Sequence, residues 1–121
     1  MYNFLVCFYV LDYCFWSHSD RDGMMNRDDL GGLLGVMNPD MLADGRPMDE
    51  AVLTDWNRIL LKTPNSDFEW IDAVDRFLDY YEKNFGFDFL LARPMLKNKK
   101  VLDYVQTAKE KARKACDLHN Y

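Results

Sequence analysis

From Phe4 to Trp16 the chain is apolar at every position but one, Asp12. Phe4, Phe8, Leu11 and Phe15 fall on one helical stripe, and Leu5, Tyr9, Val10, Tyr13 and Trp16 fill its flanks. A buried strand is the competing reading of a short apolar run, but the length of this one predicts a helix over residues 3–19. A helix apolar all round must be covered on several sides, so this is the expected central element. A polar loop over residues 19–27 follows. Asp28 or Asp29 then stands as N-cap for a short helix over 30–37 carrying Leu30, Leu33, Leu34 and Met37. Gly31, Gly32 and Gly35 weaken that helix by up to about 1 kcal/mol each relative to alanine, a cluster that implies close helix packing. Asn38-Pro39-Asp40 stops it, and Ala43-Asp44-Gly45-Arg46-Pro47 is a turn.

Pro47 sits at or just before the first turn of the next helix, over 48–61, whose stripe is Val52, Leu53, Trp56, Ile59 and Leu60. Thr63-Pro64-Asn65-Ser66 breaks the chain, and Asp67 is the expected N-cap of an amphipathic helix over 68–84. Phe68, Ile71, Val74, Leu78 and Tyr81 line one face of it, with Trp70 and Phe77 beside them. Asp72, Asp75, Asp79 and Glu82 recur on the other. Gly86 ends it. Residues 87–96, around Pro94, form a packed connector or a short helix. Residues 99–119 read as a long helix with Val101, Leu102, Val105, Ala108, Ala112 and Ala115 inward. The expected fold is all-α: a compact array or irregular bundle of about five helices. Leu-Asp-Tyr recurs at 11–13, 78–80 and 102–104, a hint of duplication that chance also explains in a chain of this composition.

At 121 residues the chain fits a single domain, 1–121. Its 49% hydrophobic content, with 15% aromatics, is enough to bury a core and argues against disorder. The apolar N-terminal stretch is too short to cross a bilayer. It lacks the preceding basic residues and following small-residue site of a secretion signal. Cys7 and Cys14 lie about 10 Å apart along one helix, too far to bridge, and Cys116 leaves an odd count. A reduced, cytoplasmic protein without a membrane partner is the expectation.

The net charge of −5 is unevenly distributed. Residues 1–92 hold 7 basic against 17 acidic side chains, giving −10, and residues 93–121 hold 8 against 3, giving +5. An acidic body argues against direct nucleic-acid binding by the main surface and suits a basic partner. The plainer reading is a solvated surface with an ordinary basic last helix.

The catalytic and metal templates fail individually. Asp20-Arg21-Asp22-Gly23 resembles the start of a calcium loop, but Met25 and Gly31 stand where that loop needs glycine and glutamate. Gly31-Gly32-Leu33-Leu34-Gly35 has no Lys-Ser/Thr after it and no strand before it, so it is not a phosphate loop. Cys14 with His18 and Cys116 with His119 would make four zinc ligands if the first and last helices met. A core thiol and a fraying tail are the simpler account. Cys14 lies among Tyr13, Phe15 and Trp16, a poor setting for a thiolate nucleophile. No catalytic residue, metal or cofactor is expected. The clustered acids differ in kind. Without histidine they are weak acid–base machinery at neutral pH, yet well suited to meet a lysine-rich surface. Asp20, Asp22, Asp28, Asp44 and Glu50 are the expected partner contacts, and the plainer reading of the cluster is that Asp29, Asp40 and Asp49 merely cap helices.

Ser19-Asp20, the run Asp28-Asp29-Leu30-Gly31-Gly32-Leu33-Leu34-Gly35, Ala43-Asp44-Gly45-Arg46-Pro47 and Asp55-Trp56 follow an apolar helix. An aromatic helix with Phe77-Leu78-Asp79-Tyr80-Tyr81 comes after them. Together, over about residues 4–85, they resemble small bacterial immunity proteins of contact-dependent growth inhibition and other polymorphic toxin systems. The chain departs from that pattern through Arg21 to Arg27 and its basic tail. The resemblance implies a cytosolic protein without catalysis that binds a cognate toxin C-terminal domain and blocks its active site. Such toxins are often nucleases with basic grooves. The alternative is a structural or adaptor subunit that packs aromatic surface in a larger assembly.

Overall fold

The computed structural model describes residues 1–17 and 28–120. Among them are six helices and no strand: α1 Tyr2–Ser17, α2 Leu30–Met37, α3 Glu50–Ile59, α4 Asp67–Phe85, α5 Ala92–Met95 and α6 Lys99–His119. None is long and apolar enough to cross a membrane.

The all-round apolarity of α1 has the expected consequence. Phe4 through Phe8, Val10, Leu11, Cys14 and Phe15 are buried, and α1 touches each of the other five helices. Its most extensive partner is α6, which offers Val101, Val105, Ala108, Ala112 and Cys116. Ala108 and Ala112 carry single methyl groups, so the two helices can approach closely. Tyr13 and Tyr104 stack at 4.0 Å where they meet. Gly31 lets α2 lie against α1: a methyl there would sit 3.4 Å from the Phe15 ring. Gly32 and Gly35 have no described atom within 4 Å of such a methyl, so close packing accounts for one of the three glycines.

Helix boundaries follow local chemistry. Asp49 caps α3 by accepting from the Ala51 N–H, as its residue type predicts. For α4 the cap is Ser66, one residue earlier than expected, with its hydroxyl accepting from Glu69 N–H at 3.2 Å. Ser66-Asp67-Phe68-Glu69 is the capping-box pattern. Gly86 ends α4 in the left-handed conformation, φ 71°, a geometry that favours glycine. The buried face of α4 is Trp70, Ala73, Val74, Phe77, Leu78 and Tyr81. It is rotated from the expected one. Phe68, placed inward by periodicity, is 73% exposed. The packed face is centred on Trp70, Val74 and Phe77, and Phe68 falls on the opposite side of the helix, while Trp70 in the same turn is buried. Cys116 is buried and the His119 ring packs against Gly45, so the end of α6 is held and not the fraying tail that its position implied.

Candidate protein-binding surface

Two of the expected contact residues, Asp20 and Asp22, lie outside the described residues. Asp28 corrects the expectation. It is buried, and its carboxylate accepts three backbone N–H groups: Leu30 at 2.8 Å from one oxygen, Leu91 at 2.9 Å and Ala92 at 3.0 Å from the other. It thereby caps α2 and α5 together, across more than sixty residues of sequence. Asp29, at the N-cap position of α2, makes no cap bond there. It exchanges two hydrogen bonds with the Asp88 backbone instead. A carboxylate so engaged is a structural joint and is withdrawn from the contact surface.

Many other acids are also satisfied within the fold. Asp75, Asp79 and Glu82 on α4 converge on Arg93 of α5, with Asp75 in a two-pronged pair at 2.9 and 3.0 Å. The hydrogen bonds it donates to three carboxylates hold the Arg93 guanidinium firmly protonated. Lys83 and Arg93 in turn keep the Asp79 carboxyl below its ordinary range. Asp55 accepts from the Tyr81 hydroxyl at 2.7 Å, and burial with that bond raises the phenol well above its usual value. The expected outer acidic stripe of α4 is therefore largely a clasp for the 87–96 connector.

Asp44 and Glu50 remain, and the fold brings them together. Both are exposed. Arg46 bridges them: its backbone N–H donates to Asp44 at 3.0 Å, and its guanidinium grips Glu50 at 2.6 and 3.0 Å. The Arg46 hydrogen bond holds the Glu50 carboxyl below its usual range. Asp44 belongs to a closed loop over residues 38–48, pinched where Asp49 N–H donates to the Val36 carbonyl at 3.1 Å, and Glu50 stands just beyond it as the first residue of α3. Asn38 accepts from Asp40 N–H at the loop's entry, and Gly45 N–H donates to Leu42 at its tip. Pro39, Gly45 and Pro47 are buried feet. Gly45 has φ 73°, and a methyl on it would lie 2.4 Å from the His119 ring, so this foot accepts only glycine. Loops of this compact, self-bonded kind are frequent binding elements.

Between its feet the loop presents three large apolar side chains to solvent: Met41 at 60%, Met48 at 49% and Leu42 at 41% exposed. The exposed acids Asp40, Asp44, Asp49 and Glu50 surround them in sequence. The helical patterning placed none of these apolar residues. The signal for them was simply methionine and leucine within a Pro/Gly/Asp-rich turn, where burial has no periodic face to serve.

The described residues offer little chemistry. No group of three His, Cys, Asp or Glu side chains among them converges as metal ligands. Cys7, Cys14 and Cys116 are free and buried. Burial pushes the Cys14 thiol from 9.0 up to about 12, so it stays protonated and unreactive. No protein family, curated protein or solved structure matches this chain.

Proposed function

We propose that this protein is an immunity-type inhibitor: it binds a basic toxin domain, of nuclease type, in the cytosol and has no catalysis of its own. The observation that carries this reading is the anchored 38–48 loop, with Met41, Leu42 and Met48 exposed among four exposed carboxylates. Apolar side chains held out by a rigid loop bind at a small ordering cost. Peripheral acids steer a basic partner and act mainly on the association rate. The resemblance in the Asp28–Gly35 and Asp44–Pro47 motifs supports the same class of partner. With Asp28 buried, the proposed contact set is Asp20, Asp22, Asp44 and Glu50 together with Asp40, Met41, Leu42 and Met48.

The test is co-expression with the toxin encoded in the neighbouring reading frame, scoring survival and measuring association at two salt concentrations. D44K/E50K should slow association at low salt and leave dissociation nearly unchanged. M41S/L42S should speed dissociation. Full protection and unchanged kinetics from folded forms of both variants would exclude the loop as the binding face. Salt-independent association would favour the adaptor alternative.

A further inference from the structure

A second surface lies at the other end of α6. Phe68 and Ile71 from the start of α4, Leu96 after α5, and Leu102 on α6 line an open groove of about 320 Å3, with Lys97 and Lys99 at its rim. Phe68 is 73% exposed, and Lys97, Lys99 and Lys100 are all exposed. None of these lysines forms an ion pair among the described residues, although Asp103 stands one turn further along α6. Arg46, Arg76, Lys83, Arg93 and Lys109, by contrast, each hold a carboxylate. The position of the lysines is also unusual. The first turn of α6 contains Lys99 and Lys100 and no acid, so cations stand at the end of the helix that favours anions. The helix is capped by Asn98 alone, whose side chain accepts from Lys100 N–H at 2.9 Å. Exposed lysines thus stand beside an apolar hollow, on a chain whose first 92 residues carry a net charge of −10.

We propose that this groove docks an acidic, leucine-bearing segment of a partner protein, with apolar side chains seated between Phe68 and Leu102 and carboxylates on Lys97, Lys99 and Lys100. The charge complementarity is opposite to that of the 38–48 loop. The two surfaces lie about 30 Å apart, since α6 runs from the groove at Lys99 to Gly45 of the loop at His119 with a rise of about 1.5 Å per residue. The sites can be occupied together, and this one stands whether or not the loop binds a toxin.

The probe is a fluorescein-labelled peptide with two leucines one helical turn apart among glutamates. It is compared with its lysine-for-glutamate and serine-for-leucine counterparts by fluorescence anisotropy on the full chain. The acidic peptide should bind at least tenfold tighter than either counterpart, more weakly as salt rises, and tenfold or more weakly to K97E/K99E. That variant supplies an acid to the first turn of α6, which favours the helix, so lost binding would not reflect unfolding. A denaturation midpoint equal to or above the parent's checks this directly. Equal binding of the acidic and basic peptides, or binding unaffected by K97E/K99E, overturns the proposal. So does self-association of the chain in sedimentation that K97E/K99E abolishes, because a second copy would then be the occupant.

Discussion

Replacing Asp28 with alanine should be among the most damaging single changes to this fold. The side chain is 7% exposed and its two oxygens accept from Leu30, Leu91 and Ala92, joining segments that are 63 and 64 residues apart. Leu30 and Ala92 are fully buried, so at least two N–H donors would lose their partner with little access to water. Each such orphan costs about 1–3 kcal/mol, which puts D28A at about 2–6 kcal/mol. A domain of this kind has about 5–15 kcal/mol in total, so the variant would be marginal at best. D28N should lie between the two, because its amide oxygen can serve one helix end while its amino group faces donors at the other. Urea unfolding followed by fluorescence of the buried Trp56 and Trp70 reads the change as a fall in midpoint at unchanged slope. A loss below about 1 kcal/mol for D28A, within reach of an ordinary exposed position, would mean that the three N–H groups find other partners. It would return Asp28 to the candidate contact surface.

L11A and L78A each remove a fully buried leucine and should cost about 2–5 kcal/mol; a midpoint unmoved beyond that of a surface substitution would mean the helix faces are misassigned. Stability should fall above about pH 9, because Cys14 keeps its proton to about 12 in the fold while the unfolded chain releases it near 9.0. The contribution is complete below pH 9 and declines by up to about 1.4 kcal/mol per pH unit towards 12. C14A should flatten that decline in urea midpoints taken at pH 8, 10 and 11, and an unchanged slope would count against it. R93A leaves Asp75, Asp79 and Glu82 facing one another and should cost about 1 kcal/mol at low ionic strength. The deficit should shrink in high salt as the repulsion is screened, and a deficit indifferent to salt would contradict the clasp.

Pattern along the chain determined the elements and the centre. The apolar run 4–16 read as a covered helix by its length, against a buried strand as the competing reading. Gly86 and Pro39 act through their backbone preferences and Asp49 through its side-chain cap, so α1 and the ends of α2, α3 and α4 were legible locally. Phe8, Leu11, Trp56, Val74 and Leu78 were expected in the core and are buried there. The acids were not legible in the same way. A carboxylate looks identical in sequence whether it faces water, caps a neighbour or bridges distant segments. Asp28 became a joint only because the fold brings Leu91 and Ala92 to it, and Asp75, Asp79 and Glu82 became a clasp only because Arg93 folds back over α4. The same holds for the exposed groups. Aromatic and aliphatic residues cover more than one face of α4, so only the packing chose the face carrying Trp70, Ala73 and Phe77 and left Phe68 in solvent beside Lys97 and Lys99. Local rules act within a turn or two of chain, whereas burial, pairing and exposure depend on neighbours that arrive from tens of residues away.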